Sequence, residues 1–324
     1  MARHEQNRIF SQHARDNSVE EVETVVLSKF NAAGNKRWML FACWIVLSSL
    51  LFINPLVGFV RMSFSRDDSS YLVVIPIISA WLLFMESHKI FRDLSYNLGF
   101  GSIFLFLACC TALATRLAGG NSLPGPQLPG YILSLVLVWV AGFALLFGKT
   151  ASRAAYFPLL FLFLMVPLPD FLLDEVIHLL QAGSAWITGG IFDLLGVPAL
   201  RDGLVFHLVG FNIEIARECS GIRSSMALLI LALLVAHFQL HRFWNKALFV
   251  AAGLFMMILK NGIRIATLTL LAEYVDPGFL TGRLHHEGGI VFFVLTLLLL
   301  LPILSLLQRW ESGRSVPAEH LKIS

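Results

Sequence analysis

ALFVAAGLFMMILKNGIRIATLTLLA, residues 247–272, is apolar except for one lysine, one asparagine, one arginine and two threonines. A helix needs about 20 apolar residues to cross a bilayer, so this run reads as a transmembrane span. Its polar members are its informative ones. Arg264 stands eight residues from the outer end, about 12 Å deep at a rise of about 1.5 Å per residue. A charge at such depth costs at least about 2.5–3.5 kcal/mol on insertion scales, and such residues face the bundle interior and mark functional paths. Lys260, Arg264 and Thr267 fall at i, i+4 and i+7 on one helix face, with Asn261 beside them. Lys260 is deeper still, and snorkelling or pairing suits it better than chemistry. The bland alternative for Arg264 is a structural charge paired with Glu218, Glu273 or Asp276.

The rest of the chain repeats the apolar pattern. Of 324 residues, 57% are hydrophobic and 14% charged, with a mean hydropathy of +0.75. Soluble domains run near 45–50% apolar and about a quarter charged. This composition excludes a soluble enzyme, a collagen, a disordered chain and a secreted disulfide scaffold. A net charge of +3 is too small to imply nucleic acid. Eight spans are expected, at about 38–60, 71–86, 97–117, 131–147, 154–168, 221–237, 247–272 and 288–307. The expected fold is an all-α polytopic membrane protein. It has an N-terminal tail at 1–37, a membrane domain at 38–307 and a C-terminal tail at 308–324. The first tail is too polar for a signal-peptide core, and no internal repeat is visible. Cys43, Cys109 and Cys110 lie within apolar spans and read as packing residues.

Orientation follows from Lys and Arg in the short loops. With eight spans, 15 of the 24 basic residues fall on one side. Both termini are therefore expected in the cytoplasm, and residues 169–220 and 273–287 outside. Residues 173–196 are nearly apolar enough to span, but doing so would invert the charge pattern of every later loop. Asp174, Glu175, His178, Gln181 and Asp193 make this stretch amphipathic. It reads as a helix lying in the outer interface or packed on the bundle. Beyond it, Leu204, Phe206 and Leu208 alternate with Val205 and His207, and Phe211, Ile213 and Ile215 with Asn212 and Glu214. Period-two alternation about Gly210 predicts a small β-hairpin before span six.

That hairpin runs into Arg217-Glu218-Cys219-Ser220-Gly221-Ile222-Arg223. Cys219 sits where an extended segment becomes a helix, with Ser220 or Cys219 itself near the N-cap. A helix N-terminus favours negative charge. Arg217 and Arg223 add positive charge, and such surroundings raise the thiolate fraction. A cysteine at a helix start is otherwise just a small apolar residue, but here the setting is polar and electropositive. The third feature is Arg283-Leu284-His285-His286-Glu287-Gly288-Gly289, ahead of span eight. Adjacent histidines point different ways on a helix, and no CxxC or HExxH accompanies them, so no metal site is expected. A histidine titrating near neutrality is a natural proton carrier. Topology brings all three features to the outer leaflet. A nucleophile, a fixed cation and a proton carrier are the parts of acyl transfer through a thioester. Arginine cannot act as a base, so its role is to steady a thiolate or an oxyanion. Histidine moves the proton to the leaving amine.

At these residues the chain resembles the exosortase/archaeosortase family of membrane transpeptidases. The resemblance rests on ECSGIRSS at 218–225, NGIR at 261–264 and HHEGGIVFF at 285–293, in that order. LMVPLPDFLL at 164–173 and LLGVPALRDG at 194–203 add support. It covers about residues 40–307. It implies a cysteine peptidase or transpeptidase of the cytoplasmic (inner) membrane, with its site facing outward. Cys219 would be the nucleophile, Arg264 the family arginine and His285 the family histidine. His285 is preferred to His286 because the family histidine lies four residues before the glycine opening the last span, here Gly289. Glu218, Ser220, Arg223 and Asn261 would support them. The partners implied are the lipid bilayer and membrane-anchored proteins ending in a sorting signal: a short Pro-Glu-Pro-type motif, a transmembrane helix and a basic tail. The acceptor is unspecified, and no cofactor, metal or nucleic acid is implied. Bacterial members often accompany exopolysaccharide loci.

Two other readings compete. A proton-coupled transporter would use the Lys260/Arg264 stripe, although inverted repeats are not seen. A noncatalytic scaffold would bind partner helices and tolerate loss of Cys219. Only the transpeptidase needs Cys219, Arg264 and His285 together.

Overall fold

A bilayer offers backbone groups no hydrogen bonds, so apolar runs must close their own as helices. The computed structural model describes residues 36–91, 96–119, 126–280 and 289–313. His285 and His286 lie outside these residues, as do the expected tails except for 36–37 and 308–313. The helices are α1 (Lys36–Leu51), α2 (Ile53–Ser65), α3 (Val74–Met85), α4 (Ser87–Ile90), α5 (Leu98–Gly119), α6 (Leu128–Ala154), α7 (Tyr156–Phe161), α8 (Asp170–Leu195), α9 (Ile222–Gln239), α10 (Phe243–Tyr274) and α11 (Gly289–Gly313). The strands β1 (Leu200–Asp202), β2 (Val205–His207) and β3 (Asn212–Glu214) lie between α8 and α9.

The chain is an all-α polytopic membrane protein with one small sheet. Among the described residues, five helices (α5, α6, α9, α10 and α11) are each long and apolar enough to cross a membrane. Counting α1 with α2, and Tyr156–Met165 with α8, as single bent spans gives seven. The eight expected spans each coincide with a helix, but the first, second and fifth are broken or short. The first breaks at Phe52. Pro55 lies just beyond, and its ring clashes with the carbonyl four residues earlier. The second is twelve residues long. The fifth stops at Met165, where Val166 turns extended (ψ 117°) ahead of Pro167, as a residue before proline prefers.

The chain divides into two compact units, 1–60 with 74–166 and 61–73 with 167–324. The first is built round α6. Trp38, Phe41, Phe91, Phe143 and Phe147 form an aromatic cluster. The Trp44 indole N–H donates to the Val138 carbonyl at 2.9 Å, and Ser134 Oγ donates to the Ala108 carbonyl at 2.7 Å.

The second unit carries the site. Its frame is the antiparallel pair α9 and α10, joined through Leu240–Arg242 and backed by α11. Leu228, Ala232, Phe249, Met257, Leu300 and Leu307 make its core. The Glu311 carboxylate of α11 accepts from the His241 and Arg242 backbone N–H groups and caps the start of α10, where a helix favours negative charge. With 32 residues, α10 is about 48 Å long at about 1.5 Å per residue, well beyond a hydrocarbon core of about 30 Å. Twenty residues from Phe243 reach Gly262, so α10 has more residues than one crossing needs.

The amphipathic stretch expected at 173–196 is α8, and it packs on α10. Close approach depends on small residues: a Cβ on Gly262 would lie 2.6 Å from the Ile187 Cβ and 3.0 Å from the Ser184 carbonyl. Thr188 Oγ1 donates across the contact to the Gly262 carbonyl at 3.1 Å. Gly262→Ala is therefore expected to cost about 1–3 kcal/mol, as overpacked contacts do, read as a lower thermal midpoint of the purified protein in detergent. Helix α8 ends at Gly196 (φ 70°), a left-handed cap that glycine adopts without strain.

The expected hairpin is present as β2 and β3, with Phe206 opposite Ile213. It is corrected in extent: β1 joins β2 on its other side, giving an antiparallel meander in the order β1-β2-β3. Phe206 and Ile215 point into a core with Ala185 and Phe192 of α8 and Ile265 and Ala266 of α10. The sheet thus rests on α10 around Ile265 and Ala266.

Candidate active site

Cys219 lies in a single 3-10 turn, Arg217–Ser220, between the sheet and α9. Its backbone N–H donates to the Ala216 carbonyl at 2.9 Å. Ser220 is buried, and its Oγ accepts from the Ile222 N–H at 3.4 Å. As expected, Ser220 and Cys219 stand near the N-cap of α9, which is Gly221, at φ 70° and ψ 18°. Only glycine takes that conformation freely, so the helix begins after it. A Cβ on Gly221 would also lie 2.9 Å from Asn261 Oδ1. Gly221→Ala is expected to cost about 1–3 kcal/mol for its left-handed backbone and to displace the turn. Both a lower thermal midpoint and slower processing are the expected readouts.

Asn261 reaches this turn from α10. Its side chain is 3% exposed, and its Nδ2 donates to the Cys219 carbonyl at 2.8 Å and to Ser184 Oγ of α8 at 3.0 Å. A buried amide with both donor hydrogens spent is held in one orientation. One side chain thus ties the cysteine turn to two long helices. A second tie comes from Gln181 of α8, whose Nε2 donates to the Ile215 carbonyl at 2.7 Å.

Arg264 is one helical turn beyond Lys260, half-buried, and its guanidinium interacts electrostatically with Cys219. The cysteine itself is half-buried against the sheet and α10. Lys260, 7% exposed, donates from Nζ to Ser224 Oγ of α9, so it pairs, and it lies within electrostatic reach of Arg264. Ser224 Oγ donates in turn to the Gly221 carbonyl at 3.1 Å.

The other arginines do different work. Arg217 forms ion pairs with Asp174 and, at 3.7 Å, with Asp68. The hydrogen bond to Asp174 chiefly raises Arg217 above the ordinary arginine value, against an opposing desolvation cost. Its charge is balanced by carboxylates and fastens the turn to α8, instead of enriching the thiol's surroundings. The Arg217–Asp174 pair is largely exposed, so it contributes little stability. Arg223 is exposed on the first turn of α9. Glu218 belongs to the cysteine turn, and Asp276 accepts from the Gly278 N–H at 2.7 Å. Among the described residues, no group of three or more His, Cys, Asp or Glu side chains is placed to hold a metal ion.

The structure therefore brings together Cys219, Ser220, Asn261 and Arg264, and adds Ser184, Gln181, Gly221 and Ser224, which were not among the expected site residues. A signal for them exists. Cys219 precedes His241 by 22 residues and Arg264 follows it by 23. In an antiparallel helix pair with so short a turn, equal distances mean equal height. Gln181, Ser184 and Thr188 likewise follow helical spacing on one face of α8. Chemically, the arrangement puts a thiol within electrostatic reach of a five-donor cation, the combination that favours a thiolate nucleophile and suits an oxyanion formed between them.

A family model described as transmembrane exosortase matches residues 63–302, a segment that includes every residue of this cluster. Among curated proteins and among solved structures nothing matches the chain.

Proposed function

The chain belongs to the transmembrane exosortase family, and on that premise we propose that it cleaves C-terminal sorting signals of exported proteins and passes the released chain to an acceptor. Membership already makes it a multi-pass membrane protein with a transpeptidase-type role. The finer reading rests on one observation above the others: the Arg264 guanidinium interacts with Cys219 while Asn261 holds the Cys219 carbonyl.

The proposed chemistry runs in two halves. The Cys219 thiolate attacks the scissile carbonyl carbon, and the oxyanion that forms is met by Arg264. The C–N bond breaks as His285, in its imidazolium form, gives a proton to the leaving amine. The substrate's C-terminal helix departs, and a thioester joins the rest of the substrate to Cys219. An acceptor amine or water then gives its proton to His285 and attacks the thioester, restoring the thiolate. A preference for basic residues in the cytoplasmic loops puts both termini in the cytoplasm and the site at the outer face of the inner membrane. There a membrane-anchored substrate meets the enzyme laterally, with its cleavage segment at the interface. The proposed signal is a short Pro-Glu-Pro-type motif followed by an apolar helix and a basic tail.

The test is co-expression of a tagged exported protein with such a C-terminus, from the same genome, with and without this chain. The expected product is shorter by the terminal helix when the chain is present, as read by intact mass. A substrate that stays full length at normal levels of the chain contradicts cleavage and favours a scaffold.

A further inference from the structure

We propose that the outer edge of β3 receives the extended substrate segment next to the scissile bond as a fourth strand of the sheet. The proposal rests on the transpeptidase reading and names how that site takes hold of its substrate.

The register fixes which way each backbone group points. The Ile215 N–H donates to the Leu204 carbonyl and the Leu208 N–H to the Phe211 carbonyl, both at 3.0 Å. With Phe206 opposite Ile213, the residues of β3 that bond to β2 are Phe211, Ile213 and Ile215. Asn212 and Glu214 therefore turn their backbone groups away from β2. The Glu214 carbonyl accepts from the Ala216 N–H at 3.0 Å. The Asn212 N–H, the Asn212 carbonyl and the Glu214 N–H have no bond to another described residue. Both residues are exposed. An edge with aligned, unpaired groups is a template for another extended chain.

Position singles out this edge over the other. β1 leads back towards α8, and Arg201 on it folds over to the Gly203 carbonyl at 2.9 Å. β3 leads straight to the cysteine turn, with Cys219 five residues after Glu214. From Asn212 to Ala216 is about 13 Å at about 3.3 Å per residue, the reach of a short recognition segment. The edge and the nucleophile are held by one packed helix pair, since α8 holds Ile215 through Gln181, α10 holds Cys219 through Asn261, and Asn261 bonds to Ser184 of α8. A peptide paired to β3 would be carried past Cys219 in an extended form, with its carbonyls open to attack. Main-chain bonds supply the grip, and alternate side chains face the enzyme.

Disulfide trapping tests this. The chain carries Cys219→Ala and lacks Cys43, Cys109 and Cys110, so it cannot react through its own thiols. It then carries Asn212→Cys or Glu214→Cys. The probe is the tagged exported protein of the previous test, with a single cysteine walked through the residues before its terminal helix. Cross-strand neighbours have Cβ atoms about 4.5–5.5 Å apart, close enough for a disulfide. Under mild oxidation in membranes, cross-links are expected at alternate substrate positions, about tenfold above the intervening ones. The maximum should shift by two residues between Asn212→Cys and Glu214→Cys. Uniform cross-linking, or yields no higher than from Leu200→Cys on β1, would overturn the proposal. Because the trap carries no nucleophile, its pattern is readable whether or not the wild-type chain cleaves, so failure of docking and failure of chemistry are separate results.

Discussion

Cys219→Ala is expected to end processing of the substrate, and Cys219→Ser to lower it by on the order of 10³-fold or more, since a serine hydroxyl gives no thiolate at neutral pH. The effect should be chemical and not structural. The turn is fastened through the Cys219 carbonyl and N–H, which any residue supplies, and through Gly221, Gln181 and Asn261. The cysteine side chain is small and half-buried, so its loss leaves little void. Equal protein levels and an unchanged thermal midpoint should therefore accompany the loss of cleavage. If Cys219→Ala protein continues to shorten the substrate, the thiol is not the nucleophile.

Arg264→Leu is expected to lower processing by about 10²–10³-fold, the cost of removing one donor from an oxyanion site. A second readout separates this from general damage. A neighbouring cation favours the thiolate, so Arg264→Leu should also slow alkylation of Cys219 by iodoacetamide near neutral pH. Arg264→Lys should recover much of the alkylation rate, because the charge remains, but only part of the processing rate. An ammonium is a point charge without the planar fork that holds an oxyanion in one place. Equal recovery of both rates would mean that Arg264 acts by charge alone. Unchanged alkylation in Arg264→Leu would contradict its pairing with the thiol.

Much of this arrangement was legible in the residues. Apolar runs of 20 or so can hardly be anything but spans, and 247–272 with its inward arginine pointed to the interior of a bundle. The alternation at 204–208 and 211–215 gave away β2 and β3, because period two has no helical counterpart. The Cys219–Arg264 pairing follows from the short turn at His241. What stayed hidden belongs to tertiary structure. β1 is three exposed residues with no pattern to betray them. The start of α9 depends on a left-handed glycine, and a Ser-Gly pair at a helix start does not say which residue caps it. Lys260 was expected to snorkel or pair, and its partner is Ser224 on the facing helix, which no spacing within one helix could name. Ser184 attracted no notice, since one serine among small residues reads as packing until Asn261 is seen to bond to it.

The most direct test is capture of the covalent intermediate. The wild-type chain, purified with its substrate and quenched in acid, should carry the substrate's N-terminal portion on the peptide containing Cys219, as seen by mass spectrometry. Neutral hydroxylamine should remove it as a hydroxamate, and Cys219→Ala protein should carry none. Cleaved substrate that accumulates with no adduct on Cys219 at any time, and at the same rate in Cys219→Ala protein, would contradict the account.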